Sequence, residues 1–236
     1  MTPSPPVTVL IHGGQVGAWV WGAVRSQLAG PSIAVDLPGH GDRRGRLKGL
    51  GVRDCVDAVI SDLPPTGRVV VVGHSFGAAI ALAVAHRIPD RIARIVLIAG
   101  MVPYPGAPLL SSFPPVFRLI GNVLFRLTPE FSQPLKVIKT KLLNGMSVAQ
   151  ADEAASKFTK ESSSLFLDRV DWRSDPAIPV TYVVCLNDRG ALSPAFQEQL
   201  APRLGPNVKI VSIDACHYAM LEKPTEVAAM INAIAS

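Results

Sequence analysis

Val69-Val70-Val71-Val72-Gly73-His74-Ser75-Phe76-Gly77-Ala78-Ala79-Ile80-Ala81 is the stretch that decides the fold. Four consecutive valines read as a buried strand, and the small-residue run after Gly77 reads as a closely packed helix. Gly73-x-Ser75-x-Gly77 lies between them. A strand, that pentapeptide and a helix in succession describe a sharp turn that lifts the serine Oγ above the sheet. Such a turn strains the serine backbone. Its glycines are required because a side chain two positions either side of Ser75 would collide with the neighbouring strand and helix. A surface glycine-rich turn would not sit between a fully apolar strand and an alanine-rich helix. The pentapeptide is therefore read as a nucleophile elbow with Ser75 at its tip.

Outward from the elbow, short apolar runs alternate with helical patterns, which is the mark of βαβ units and a parallel sheet. Strands are expected at residues 7–11, 33–35, 68–72, 92–98, 180–185 and 208–213. Their near-continuous apolarity suits strands covered on both faces. Helices are expected at 19–28, 52–63, 76–87, 194–204 and 225–235. The alternation stops between Pro103 and Pro179, where helix-like groupings appear without a convincing strand. A helix over residues 147–160 with Ser147 as its N-cap is expected there. The reading is an α/β fold, with a mostly parallel sheet flanked by helices. Its core comprises residues 1–102 and 180–236, and residues 103–179 form an inserted helical cap, because so long a stretch is not an ordinary loop.

Composition sets the bounds. The chain has 236 residues with 48% hydrophobic content, enough for one large domain and its core. Its net charge of +5 hints at an anionic partner. The cluster Arg43-Arg44-Gly45-Arg46-Leu47-Lys48 lacks interleaved aromatics and reads as a solvated loop, so nucleic acid is not expected. Cys55, Cys185 and Cys216 form neither a disulfide framework nor a metal spacing, which suits a reducing, cytoplasmic compartment. Met1 to Pro6 lacks the charged and apolar regions of a signal peptide. Residues 109–127 are apolar, but Pro114, Pro115, Arg118 and Arg126 interrupt them, so no membrane span is expected.

A serine hydroxyl is a weak nucleophile until a base takes its proton, and that base needs a carboxylate to orient it. Of the five histidines, His12 and His40 lie in glycine-rich turns, His74 is inside the elbow and His86 ends a helix. His217 follows the last strand, at the carboxyl edge where α/β sites form. His217 is the expected base. The acid is expected between serine and histidine in the chain. Asp188, just after the 180–185 strand, meets this condition. Its rivals are Asp168, Asp171 and Asp175 near the cap, and Asp214, three residues before His217. Two donors must also face the developing oxyanion. The Phe76 N–H and, from the loop after the first strand, the Gly14 N–H are the candidates. Asp36-Leu37-Pro38-Gly39-His40-Gly41 reads as a tight loop with Asp36 bracing it. His12, Gly13, Phe113, Phe117, Phe125, Phe131 and Tyr218 are candidates for the substrate pocket.

Together these residues resemble the α/β-hydrolase superfamily over nearly the whole chain, and more closely the methylesterase and hydroxynitrile lyase group with its bacterial relatives. The stretches that carry the likeness are Val9-Leu10-Ile11-His12-Gly13-Gly14, Gly17-Ala18-Trp19-Val20-Trp21, the elbow, Asn187-Asp188, Ser193-Pro194-Ala195-Phe196-Gln197 and His217-Tyr218-Ala219-Met220-Leu221. The resemblance implies Ser75, Asp188 and His217 as a triad, and Gly14 and Phe76 as the oxyanion hole. Hydroxynitrile lyases of the group carry threonine after the first-strand histidine and lysine after the catalytic one. Gly13 and Tyr218 stand there in this chain, which points to ester hydrolysis.

The expected activity is cofactor-free, metal-free hydrolysis of a small carboxylic ester through an acyl-enzyme. Lactone, thioester or C–C cleavage, or a lyase reaction, would use the same site. A non-enzymatic receptor is disfavoured by the intact Ser, Asp and His.

Overall fold

The computed structural model describes residues 6–235. The reading of the N-terminus as lacking a signal peptide falls, except for Pro6, outside them. Among the described residues there are eight strands: β1 Val7–Ile11, β2 Ser32–Val35, β3 Val69–His74, β4 Ile92–Ile98, β5 Glu130–Phe131, β6 Glu161–Ser162, β7 Val180–Cys185 and β8 Lys209–Ile213. Six of them form one parallel sheet in the order β2-β1-β3-β4-β7-β8. Every residue of β3 is buried, as a central strand covered by helices on both faces requires. Two apolar layers sandwich the sheet. One holds the Val52–Asp62 and Phe76–Arg87 helices, and the other holds Trp21, Met220 and the Pro224–Ala235 helix.

The strand order reverses direction across β1 and β3, since β2 lies outside β1 while β4 lies outside β3. Ligand crevices of open α/β sheets form at the carboxyl edge of such a switch point. The turns after β1, β3, β7 and β8 all open on that edge.

Several expected helices end early, each for a local reason. The 19–28 helix is two pieces, a 3-10 turn Ala18–Trp21 and a short helix Gly22–Arg25, because a glycine sits at the joint. The 194–204 helix is α only over Pro194–Leu200. It tightens to a 3-10 turn over Ala201–Leu204, where Pro202 offers no N–H to an α ladder. Ser147 does cap its helix, in a reciprocal box with Gln150, but the helix spans Val148–Ser156 and stops short of residue 160. The chain is captured just beyond it, where the Thr159 N–H donates to the Gln15 carbonyl at 2.8 Å.

Between β4 and β7 the chain forms short helical turns, a longer Pro115–Leu127 helix and the antiparallel pair β5–β6. That pair was not expected from the sequence. Two residues per strand are too few to show a period-two pattern. Among the described residues, no helix is long and apolar enough to cross a membrane.

Candidate active site

Ser75 sits at φ 51°, ψ −118°, which a residue with a side chain seldom adopts. Three backbone bonds hold it there: its N–H donates to the Ile98 carbonyl at 3.0 Å, and its own carbonyl accepts from Ala78 and Met101 at 3.1 and 2.9 Å. The glycines explain how the turn closes. A Cβ on Gly77 would lie 2.4 Å from the His12 carbonyl oxygen, and one on Gly73 would lie 2.5 Å from the Gly77 carbonyl oxygen. Strand, elbow and helix therefore pack backbone against backbone.

His217 reaches Ser75 from the turn after β8. Its Nε2 lies 3.0 Å from Ser75 Oγ and its Nδ1 lies 2.5 Å from Asp188 Oδ2. The Leu186 and Asn187 N–H groups donate to the Ile213 and Ala215 carbonyls, and so tie the end of β7 to the end of β8. This tie brings Asp188 beside His217. Asp188 is 3% exposed and accepts two further bonds, from Gln197 Nε2 at 3.0 Å and from the Gly190 N–H at 2.8 Å. Gln197 is itself fully buried and locked by Leu192 O and the Cys185 N–H. Asp214 is exposed and bonds Asn187 Nδ2 at 2.6 Å. It makes no bond to His217.

The turn after β1 closes the other side. Among the described residues, neither the Gly14 nor the Phe76 N–H has a protein acceptor, and both residues line the pocket that holds Ser75. Gly13 lets this turn press on the elbow, since a Cβ there would be 2.8 Å from His74 Nδ1 and 3.1 Å from Ser75 Cβ. Tyr218 donates its hydroxyl to the Gly14 carbonyl at 3.3 Å, and burial pushes that phenol up so that it keeps its proton. Gln15 stands at φ 65°, and its N–H donates to Glu161 Oε2 at 3.0 Å. Glu161 is 1% exposed, and its other oxygen meets His40 Nε2 at 3.1 Å and the Ser162 N–H at 2.9 Å.

Two expected pocket residues are elsewhere. His12 is fully buried beneath the turn, edge-on to His40. The Leu37 N–H donates to its Nε2 at 3.0 Å, so its Nδ1 carries the proton and donates to the Gly13 carbonyl at 2.7 Å. Burial and the neighbouring His40 hold its pKa down to about 4. Gly13 does not line the pocket either, because it is wedged against the elbow. His74 is likewise a neutral brace. It donates Nε2–H to the His217 carbonyl at 2.9 Å, and burial, then His217, lower its pKa well below the ordinary value. Asp36 braces its loop as expected, accepting from the Ala18 and Asp42 N–H groups at 2.6 and 3.0 Å.

The pocket above Ser75 has a volume of about 530 Å³ and is mostly apolar. Phe113, Phe117, Phe125, Phe131 and Tyr218 line it. The residue missed from the sequence is Phe166. Its ring is the hub of the wall, 4.7 Å from Phe125, 5.1 Å from Phe131 and 6.1 Å from Phe113 between centroids. Glu161 and Gln197 were also missed as parts of the site. No motif marks Glu161 or Phe166, and Gln197, although it lies in one of the stretches that carry the family likeness, shows its bond to Asp188 only in the fold.

The family model described as the alpha/beta hydrolase family matches residues 8–230, and the chain belongs to that family. It is similar to polyneuridine aldehyde esterase from Rauvolfia serpentina, 28% identical over 93% of this chain and 91% of that protein. It is also similar to the pimeloyl-[acyl-carrier protein] methyl ester esterase of Aromatoleum aromaticum, 29% identical over 96% of each. Among solved structures, an extracellular alpha/beta-hydrolase from a Paenibacillus species superposes with a TM-score of 0.84 at 22% identity, covering 97% of this chain and 99% of that one, a likeness of fold.

Proposed function

We propose that this protein hydrolyses small carboxylic esters through an acyl-enzyme on Ser75, with His217 as general base and Asp188 as its orienting acid. The class, a carboxylic ester hydrolase, rests on family membership and on full-length likeness to proteins named as esterases. The observation that carries the mechanism is the relay of 3.0 Å and 2.5 Å contacts from Ser75 Oγ through His217 to Asp188, on a strained elbow.

Ser75 Oγ attacks the ester carbonyl carbon while His217 Nε2 takes its proton. The carbonyl oxygen becomes an oxyanion facing the Gly14 and Phe76 N–H groups, which have no competing protein acceptor. Collapse of the intermediate breaks the bond to the alkoxide, and His217 returns the proton to the leaving alcohol. Water then attacks the acyl-enzyme by the same route. Asp188 keeps the histidine proton on Nδ1, so that Nε2 stays free to accept. Glu161 holds the Gly14–Gln15 turn in place. The apolar pocket favours an apolar acyl group over a polar one. Three buried, unpaired cysteines suit a cytoplasmic setting.

Hydrolysis of p-nitrophenyl esters of increasing acyl length, beside a cyanohydrin cleavage assay, tests the reading. Saturable ester turnover without cyanohydrin cleavage is expected. Cyanohydrin cleavage without ester turnover would replace it with a lyase.

A further inference from the structure

The Pro115–Leu127 helix presents to solvent what a globular protein usually buries. Val116, Leu119, Ile120, Val123 and Leu127 are 57–76% exposed, and Phe117 and Leu124 are about half exposed. At 100° per residue these seven side chains fall on one continuous apolar arc. Only Gly121 of this helix is buried, with Phe125 turned inward onto Phe131 and Phe166. The apolar surface continues past Pro134 through the exposed Leu135 and Val137. Thus, among the described residues, nine of the thirteen large exposed hydrophobic side chains lie between residues 116 and 137. A contiguous patch of this kind marks an interaction surface.

Two further observations say what covers it. First, the patch is continuous with the active site, since Phe117 and Leu124 on one flank and Pro134 and Val137 on the other also line the pocket of Ser75. An acyl chain could pass from an apolar phase into the pocket without crossing water. Second, the charge around it is one-sided. Residues 115–141 carry Arg118, Arg126, Lys136, Lys139 and Lys141 against the single acid Glu130. Of these cations, Arg118, Arg126, Lys136 and Lys141 are exposed, while Lys139 pairs with Asp152. A second copy seated on the same face would set like charge against like charge. An apolar helical face with exposed cations matches an anionic phospholipid surface instead.

We propose that the Pro115–Leu127 helix and the segment through Val137 dock on anionic phospholipid surfaces, from which an ester with an apolar chain enters the pocket. The substrate half of this statement rests on the esterase reading. The docking half does not, and is measured without turnover.

The test is co-sedimentation of the full chain with vesicles of phosphatidylcholine alone and of phosphatidylcholine mixed with phosphatidylglycerol, at low and high salt. Leu119→Ser/Ile120→Ser/Val123→Ser is the variant, because these side chains lie outside the pocket and contribute little to the core. The wild type is expected to bind the mixed vesicles about tenfold or more tightly than the neutral ones, and to be released by salt. The variant is expected to lose that binding while hydrolysing a water-soluble short-chain ester at the wild-type rate. Failure of the wild type to sediment with the mixed vesicles would overturn the docking proposal, as would undiminished binding by the variant. A wild-type dimer in vesicle-free buffer that becomes a monomer in the variant would also overturn it, and would assign the face to a second copy. If vesicle binding holds but short-chain ester turnover is absent, the esterase reading fails instead.

Discussion

The Glu161 carboxylate accepts the backbone N–H of Gln15 at 3.0 Å, joining two residues 146 positions apart. It fixes Gln15 in a left-handed conformation one residue after Gly14. The segment between β4 and β7 therefore holds the turn that carries Gly14 as well as lining the pocket of Ser75. Glu161→Gln keeps the size but turns one acceptor oxygen into an NH2 group, so one of the N–H groups of Gln15 and Ser162 loses its partner. We expect kcat to fall about tenfold or more with KM changed much less, because the donor is misplaced for the transition state. Steady-state kinetics beside a thermal melt check this. A lower Tm with unchanged kcat would reduce Glu161 to a structural role.

Asp214 lies three residues from His217 in the chain and Asp188 lies 29 away, but only Asp188 touches it. Asp188→Asn should lower kcat by about 10³-fold or more, since an amide can hold the wrong imidazole tautomer. Asp214→Asn should stay within a few-fold, because Asp214 is exposed and makes no bond to the ring. Reversed effects on p-nitrophenyl ester turnover would move the acid from Asp188 to Asp214.

Phe166 and Phe117 line the same pocket at very different depths, 5% and 52% exposed. Phe166→Ala opens a cavity at the hub of the aromatic wall and should destabilise by about 3–5 kcal/mol. Phe117→Ala should shift the acyl-length preference with a stability loss under about 1 kcal/mol, because little core packing is lost. Urea melts and an acyl-length series separate the two. Equal stability losses would contradict the packing described for Phe117.

His12 and His74 are held neutral by burial, His12 at about 4 and His74 well below the ordinary imidazole value of about 6.5. The unfolded chain therefore binds more protons than the folded one below about pH 6.5, and stability must drop as pH falls. The contribution is fully present above that pH and drains away toward about pH 4 for His12. Each histidine makes the loss steeper by up to about 1.4 kcal/mol per pH unit. The urea midpoint should already be lower at about pH 5.5 than at about pH 7.5, before carboxylates titrate appreciably. A flat midpoint over that range would mean that these histidines are not buried neutral.

Legibility followed the strength of local signals. The six sheet strands were readable because buried parallel strands are runs of apolar residues, and the Gly73–Gly77 pentapeptide placed Ser75 at the central one. Asp188 and His217 are proposed from their places just after β7 and β8, and the fold brings the two side chains together. His12 was misplaced into the pocket, because a glycine-rich turn does not reveal which way its side chains face. Glu161 and Phe166 left no local trace, and Gln197 stood in a family stretch that did not reveal its partner. Each acts through partners distant in the chain or through a packed cluster, and a buried polar residue looks in sequence like any surface one. The β5–β6 pair was too short to register.

The central claim is that the Ser75 hydroxyl is the nucleophile, and trapping the acyl-enzyme tests it most directly. The protein is quenched in acid during turnover of an activated ester, and its intact mass and peptide map are read beside those of Ser75→Ala. The account predicts one acyl group, on the peptide bearing Ser75, absent from the variant, together with a loss of turnover of about 10³-fold or more. An acyl group on another residue, or near-normal turnover by pure Ser75→Ala, would contradict it.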